Sequence, residues 1–184
     1  MRVHGLFMGF VAAASLCLST AAARAEPAFD AFKQLCIDTS GEYRAVLSAA
    51  DANGWQPVEV AVPEMKGVVV SDKLTRSRTL GGGDATLSAW TGKTANDVMV
   101  STCTVQVSRG DYGAALAQVR GWAGFAPQDT NGQKVTFRFM DQGGARKALA
   151  PSEYDAAAAG SGMVILTVNG TGGGVNLDLL KIKK

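Results

Sequence analysis

Hydrophobic residues recur with two different periods along this chain, and the change of period divides it into a helical beginning and a strand-rich remainder. Between residues 27 and 52 the apolar positions lie three or four residues apart, as on one face of an amphipathic helix. Phe29, Phe32 and Cys36 share such a face. They predict a first helix over residues 27–38, with a proline at its start.

A second helix is predicted to begin near Ser40, whose side chain is a suitable N-cap, and to end at Gly54. Its inward-facing positions are Tyr43, Val46, Leu47 and Ala50. The dipeptides Gly54-Trp55 and Gly121-Trp122 are each predicted to end a helix, with the glycine left-handed and the tryptophan folded back over the last turn. Both tryptophans are therefore expected to be structural.

From residue 58 onward apolar and polar residues alternate, which is the period of a β-strand. The predicted strands in this part cover residues 58–62, 67–71, 74–80, 87–91 and 97–108. In the last of these both faces carry apolar residues, which is typical of a central strand covered by helices on at least one side.

The remaining pattern adds one helix and several strands. A third helix is predicted over residues 111–124 with Asp111 as its cap. It is followed by a strand at 135–140, a short helical turn at 151–159, and a terminal hairpin of 163–168 with 175–182. The sequence therefore predicts an α+β fold, in which two or three helices pack on one face of a mainly antiparallel sheet.

Two segments share the order Cys, Tyr-x-Ala-x-Leu, Gly-Trp, one beginning at Cys36 and the other at Cys103. This order is explained either by a duplicated unit of helix and strands or by two helices that end in the same way. The interval between the leucine and the glycine differs between the two segments, which favours the second explanation.

Residues 1–25 have the pattern of a secretory signal peptide. Arg2 gives a basic start, residues 6–18 are apolar, and Ala23-Arg24-Ala25 forms an A-x-A cleavage pattern before Glu26. The apolar run is too short to span a membrane, so cleavage is expected. The sequence predicts a bacterial periplasmic or secreted protein whose residues 26–184 form a single domain, with no transmembrane segment after signal cleavage.

Cleavage also changes the charge and the chemistry of the chain. The 18 basic residues include Arg2 and Arg24, and without these two they equal the 16 acidic residues, so the net charge is near zero. A basic face for nucleic acid is not indicated. The only histidine, His4, lies in the signal peptide, so Ser-His-Asp catalysis, Cys-His catalysis and histidine-containing zinc sites are excluded from the mature chain.

Cys36 and Cys103 are the two cysteines that remain after cleavage, and in an oxidising compartment they predict a disulfide. The alternatives are two free buried thiols or a redox pair, although no C-x-x-C spacing supports the latter. The bridge would close a loop of 67 residues and stabilise the fold by roughly 4 kcal/mol on the chain-entropy model.

Known binding motifs are present only in fragments. The Gly-Lys-Thr sequence at residues 92–94 resembles the end of a phosphate-binding loop, but Leu87 occupies the place of the first required glycine, which indicates a hairpin turn. Asp51 and Asp129 each begin a fragment of a calcium loop that lacks its later glutamate, which indicates a helix end and a β-turn. No cofactor-binding or metal-binding residue is predicted.

Two kinds of catalytic pair remain open without histidine. Ser71 and Lys73 are a formal Ser-Lys pair, although their spacing is ordinary for a strand. The acidic residues that a paired-carboxylate hydrolase could use are Glu42, Asp51, Glu59, Glu64, Asp141 and Glu153. Nothing in the sequence selects a pair among them, so no catalytic residue is predicted.

Two resemblances add expectations. The order of helix, Cys, Gly-Trp, long cysteine-bearing strand and second helix resembles that of small exported alphaproteobacterial proteins of unknown function, which implies no activity. The sequence Ser40-Gly41-Glu42-Tyr43 is similar to the S-G-x-x-Y signature of periplasmic lysozyme inhibitors. In that family the serine and tyrosine lie in the loop that plugs the lysozyme cleft, but the family is all-β, unlike the helical beginning of this chain.

These observations together predict a non-catalytic periplasmic or secreted protein that acts through contacts with a protein or a cell-envelope component. The alternatives are a carboxylate-based hydrolase and a lysozyme inhibitor. A deep cleft with two inward carboxylates would favour the hydrolase, whereas a shallow apolar patch would favour the binding protein.

Overall fold

A computed structural model describes residues 26–59, 67–160 and 162–184. The predicted signal peptide lies outside these described residues. The helices are α1 (Pro27–Phe32), which continues into a π-helical turn (Lys33–Ile37), α2 (Tyr43–Ala52), α3 (Tyr112–Ala123) and α4 (Tyr154–Ala159), which follows a 3₁₀ turn (Pro151–Glu153).

The strands are β1 (Gln56–Pro57), β2 (Val68–Leu80), β3 (Gly83–Thr94), β4 (Met99–Val107), β5 (Asp129–Asn131), β6 (Lys134–Gln142), β7 (Ala145–Ala148), β8 (Met163–Thr171) and β9 (Gly174–Lys183). They form one antiparallel sheet in the order β1-β2-β3-β4-β9-β8-β6-β5, and β7 pairs with the second half of β6. The chain thus joins its middle strand β4 to its last strand β9 in the centre of the sheet.

Three helices cover one face of the sheet, as the sequence predicts. Side chains of α1, α2 and α3 pack with the inward side chains of the long strands in one core, in which Phe32, Val46 and Val119 are fully buried. The fourth helix lies on the opposite face. Its Ala157 packs with Met163, which points away from the neighbouring Val164 because side chains alternate along a strand. The predicted α+β class is therefore confirmed, and the helical turn predicted over residues 151–159 is a fourth helix, on the face opposite the other three.

The predicted disulfide between Cys36 and Cys103 is formed. It joins the end of the first helical segment to the central strand β4, both cysteines are fully buried, and their Cα atoms lie 5.4 Å apart. That separation is usual for a disulfide. The bridge therefore ties the N-terminal helices to the middle of the sheet.

The predicted helix end at Gly54 is confirmed. Gly54 is left-handed with a φ of 72°, the amide of Trp55 donates to the carbonyl of Ala50 at 3.0 Å, and that of Gly54 donates to Asp51 at 3.2 Å. These two bonds form a Schellman motif. Trp55 is consequently buried, with 3 % of its surface exposed.

The predicted helix end at Gly121 is wrong. Helix α3 continues through Gly121 and Trp122 to Ala123, and the left-handed residue is Gly124, with a φ of 79°. Trp122 is therefore a helical residue on the flank of the core, half-buried, and not a residue folded back over a helix end. The two Gly-Trp pairs thus have different structures, which removes one support of the proposed duplication.

Strand boundaries differ from the predictions: β3 extends beyond the predicted 87–91 on both sides, and β5 and β7 were not predicted. Residues 67–71 and 74–80 were separate in the alternation pattern, but both belong to β2, because a bulge between Val70 and Asp72 shifts the register without ending the strand. Of the predicted strand 58–62, residues 60–62 lie outside the described part. The strand β1 consists of Gln56 and Pro57, and Val58 adds one backbone hydrogen bond, to Thr75 of β2 at 3.2 Å. The predicted terminal hairpin is confirmed as β8 and β9.

Candidate functional site

Lys181 is the charged residue at the centre of the candidate site. It lies near the end of β9, opposite Ser101 of β4 and Val164 of β8. It shares a sheet face with Leu177 and Leu179, which are buried under the helices. Lys181 itself is only half-buried, because the helical cover ends here. The residue therefore stands at the margin of the core.

The loop between the π-helical turn and α2 closes one side of this site. Ser40 and Gly41 are both left-handed, with φ values of 58° and 64°. Gly41 is packed so closely on the sheet that an added Cβ would lie 3.4 Å from Leu179 Cδ2. The predicted capping role of Ser40 is wrong, because the N-cap of α2 is Glu42. The tight loop instead brings Glu42 to the edge of the site.

Two cavities meet at Lys181. One has a volume of about 450 Å³ and lies where β6 turns away from β8 to pair with β7. Its lining residues are Asp141, Gly143, Gly144, Gly162, Met163, Val164, Lys181, Ile182 and Lys183. The other, of about 240 Å³, is lined by Ser40, Gly41, Glu42, Thr91, Met99, Val100, Ser101, Lys181 and Lys183. We call the two cavities together the Lys181 cleft.

The ammonium group of Lys181 is partly desolvated. Burial lowers the pKa of Lys181, while the charges of Asp141 and Glu42 act in the opposite direction. Within the part of the chain that the structure describes, no carboxylate forms a direct ion pair with this lysine. The site therefore holds a cation whose lost hydration is only partly replaced by protein groups.

Trp122 and Arg146 form the wall behind the cleft. The Trp122 ring packs edge-on against Phe139 at 5.8 Å between centroids, and the Arg146 guanidinium lies 4.1 Å from the centre of the Trp122 ring. A small void of about 20 Å³ separates Trp122 from Lys181 and Asp141. The tryptophan thus supports the site through packing with its neighbours.

The candidate carboxylates from the sequence are distributed unevenly in space. Asp51 pairs with Arg76 at 3.3 Å, and Glu153 pairs with Lys147 at 2.8 Å, so both have ordinary surface partners. Glu59 is exposed after β1, and Glu64 lies outside the described residues. Only Glu42 and Asp141 of this set act on one common group, Lys181. Their convergence is not visible in the sequence, where they lie far apart.

A further cavity, of about 650 Å³, is lined by the two carboxylates of Glu26 and Asp111. Both are occupied as helix caps. Glu26 accepts the amides of Ala28 at 3.5 Å and of Asp111 at 3.4 Å, while Asp111 accepts the amide of Ala114 at 3.0 Å. Carboxylates that stabilise helix beginnings in this way have a structural function. The cavity therefore does not supply the free acid pair that a hydrolase requires.

The remaining sequence motifs have structural roles. Ser71 lies in the β2 bulge and contacts Thr91 Oγ1 at 3.2 Å, with no hydrogen bond to Lys73. Gly92 lies inside β3, where an added Cβ would be 2.8 Å from the carbonyl oxygen of Val69, so the glycine permits close strand approach. Among the described residues, no three histidine, cysteine, aspartate or glutamate side chains are grouped to hold a metal ion.

Asp178 is a charged residue on the other face of the sheet that sequence reasoning did not single out. It accepts hydrogen bonds from Thr104 Oγ1 at 2.7 Å and Asn176 Nδ2 at 3.0 Å. Burial raises the pKa of Asp178, and these hydrogen bonds only partly oppose that effect. The sequence feature that could have identified it is its place between Leu177 and Leu179, because a carboxylate between two apolar residues of a central strand is unusual.

Comparisons with protein-family models, with curated proteins and with solved structures gave no match for this chain. Its function is therefore argued from the geometry of the site. In the described ranges, no helix is long and apolar enough to cross a membrane.

Proposed function

We propose that this protein is a non-catalytic periplasmic or secreted protein that contacts another protein or a component of the cell envelope through the Lys181 cleft. The observation that carries the proposal is the partly desolvated ammonium of Lys181 at the meeting point of two cavities. A half-buried cation without a direct partner loses part of its hydration, and a ligand that supplies an anion compensates for this loss.

Location outside the cytosol is part of this proposal. The formed disulfide supports it, because structural disulfides persist in oxidising compartments. The position of Glu26 is compatible with cleavage after Ala25, since Glu26 caps α1 and would be retained. The resemblance to small exported alphaproteobacterial proteins agrees with this location and remains a prediction.

The arrangement of acids supports binding over hydrolysis. A carboxylate hydrolase needs one carboxyl group that stays protonated near neutral pH beside one that is ionised. Among the described residues, Asp178 is the carboxyl group whose pKa lies above its ordinary value, because of burial, and its side chain lies on the sheet face opposite that of Lys181. Glu42 and Asp141 are both exposed. The two requirements are therefore not met in one place.

Lysozyme inhibition is less well supported by the loop geometry. The Tyr43 hydroxyl donates to the carbonyl of Lys73 at 3.3 Å, and Gly41 is buried against the sheet. The tyrosine is thus engaged in the fold, as its core-facing position in α2 predicts, while Ser40 is exposed beside the cleft. Inhibition of lysozyme by the parent protein, abolished by Ser40→Ala, would favour this alternative.

The proposal is tested with protein recovered from the periplasm after expression of the full chain. Membrane, peptidoglycan and soluble periplasmic fractions are titrated against the parent, Lys181→Met and Lys134→Met. Lys134 is an exposed lysine at the other end of the sheet, which makes it a matched control. We expect one fraction to bind the parent and Lys134→Met equally, and Lys181→Met at least tenfold more weakly.

Two results would contradict the proposal. Equal binding by all three proteins would show that the Lys181 cleft is not the contact site. Hydrolysis of a glycan or peptide substrate that disappears in Asp141→Asn or Glu42→Gln would instead establish the hydrolase alternative. Unfolding midpoints of the variants are measured alongside, so that loss of binding is not confused with loss of structure.

A further inference from the structure

The larger cavity of the Lys181 cleft combines two cations with an apolar floor. Lys181 and Lys183 lie two residues apart on β9 and therefore on one side of the strand, roughly 7 Å apart along it. Both line the cavity, together with the single acid Asp141. The charged lining is thus net positive by one, and its cations are concentrated along one strand.

The rest of this cavity is apolar or lacks side chains. Met163, Val164 and Ile182 supply the apolar floor, and the first two are buried in the fold. Gly143 and Gly144, in the turn between β6 and β7, line the cavity without side chains, and so does Gly162, which lies beside Ile182 and Lys183. The volume of about 450 Å³ lies within the range of small-molecule sites, whereas the 240 Å³ cavity lies below it.

Gly162 permits a close approach of two strands at one side of this cavity. It is left-handed with a φ of 98°, and an added Cβ would lie 3.3 Å from the carbonyl oxygen of Ile182. The beginning of β8 therefore stays close to β9 while β6 leaves β8 after the pair of Phe139 with Val164. The gap that opens between β6 and β8 lets side chains from both sheet faces line one cavity.

We infer that this cavity binds an anionic amphiphile, a molecule in which one carboxylate or phosphate group is joined to an apolar chain. The acidic group contacts Lys181 and Lys183, and the apolar chain lies on Met163, Val164 and Ile182. A cationic ligand is disfavoured by the two lysines, and a neutral sugar is disfavoured by the apolar floor. The inference names a ligand class for the proposed binding site and rests on that proposal.

The test uses four probes with the same ten-carbon chain, each below its micelle-forming concentration. Decanoate and decyl phosphate represent the two sources of the acidic group, while decanol and decyltrimethylammonium are the neutral and cationic controls. Affinity is measured by titration calorimetry, and the location by amide chemical-shift changes. We expect one-to-one binding of at least one anion, at least tenfold tighter than decanol, with shifts at Gly143, Gly144 and Gly162.

Chain length and charge are then varied separately. Octanoate is expected to bind roughly fifteenfold more weakly than decanoate, because it lacks two methylenes and each buried methylene contributes about a fourfold factor. Lys181→Met should weaken the anion at least tenfold, Lys181→Arg should retain most of the affinity, and Lys134→Met should change nothing. Lys183→Met, on an exposed residue, repeats the charge test if Lys181→Met does not fold.

The inference is overturned if decanol or the cationic probe binds as tightly as the anions, or if neither lysine variant alters anion affinity. Absence of binding by every probe also overturns it. If envelope binding then still depends on Lys181, the proposed contact site survives and only the ligand class is wrong. If neither kind of binding depends on Lys181, both proposals fail.

Discussion

Asp178 is the residue whose ionisation should oppose folding near neutral pH. Burial raises its pKa in the folded state, whereas the unfolded chain has the ordinary value of about 3.9. The folded state therefore holds this charge less readily than the unfolded chain does. The contribution of the group to stability is most favourable below the unfolded pKa and declines as the pH rises through the raised folded pKa.

We accordingly predict that Asp178→Asn is more stable than the parent at pH 7, by about 1 kcal/mol. The oxygen of the new amide still accepts from Thr104. Asn176 Nδ2 loses its present acceptor, but rotation of the Asn176 amide by a half-turn lets the new NH2 group donate to Asn176 Oδ1, which is now buried without a partner. The gain should shrink as the pH falls toward 4. Urea unfolding of the parent, Asp178→Asn and the exposed control Asp84→Asn at several pH values measures it; a variant less stable than the parent at pH 7 would refute the prediction.

Gly54 and Gly121 precede tryptophans in the same way but should respond oppositely to alanine. Gly54 is left-handed, so Gly54→Ala should cost roughly 1 kcal/mol. Gly121 is an exposed helical residue with open space at its Cβ position, so Gly121→Ala should stabilise by roughly 0.5–1 kcal/mol. Unfolding midpoints of the two variants check this, and a destabilised Gly121→Ala would contradict the helical assignment.

Substitution of Trp55 should change stability much more than either glycine substitution. Its indole is nearly fully buried, and Trp55→Ala should therefore destabilise by roughly 3–5 kcal/mol. Trp122 is half-buried between Phe139 and Arg146, so Trp122→Ala should cost less than Trp55→Ala. If urea unfolding shows that the two variants lose the same free energy of unfolding, Trp122 is as deeply packed as Trp55.

At the scale of elements, the disulfide determines how firmly the N-terminal helices are held on the sheet. Cys36→Ser should lower the free energy of unfolding by a few kcal/mol. Cys103→Ser should have a similar effect, and the double variant should add little, because either change removes the same cross-link. Thiol titration of the denatured, unreduced protein is expected to find no free thiol. Two free thiols would reject the bridge.

Element boundaries show where sequence patterns were sufficient. The helices were predictable because their apolar residues recur at helical spacing over two or three turns. Strands β8 and β9 were predictable because segments rich in valine, isoleucine and leucine flank a glycine-rich turn. The pattern predicts a gap at residues 72–73, directly after the β2 bulge at Ser71, since a bulge interrupts alternation just as a loop does. Pairing with β3 on both sides of Ser71 is what keeps the strand continuous.

At the scale of the whole molecule, processing gives a direct test of location. The cleavage pattern predicts that the mature protein begins at Glu26. Glu26 then keeps its hydrogen bonds, including the donation of its backbone nitrogen to Gln118 Oε1 at 3.1 Å. N-terminal sequencing of protein secreted by its host measures the start. An intact Met1 would refute export by this signal and would return His4 to the chemistry of the mature chain.

The sequence by itself determined the class of elements and the exclusion of histidine chemistry from residues 26–184, and it predicted the pairing of Cys36 with Cys103 that the structure confirmed. These follow from local periodicity and from counting, which need no long-range information. The Lys181 cleft was decided by the tertiary structure alone. Its charges come from Glu42, Asp141 and Lys181, which only strand register and a left-handed loop bring together. Side-chain burial depends on what packs above each residue, and no local pattern records that.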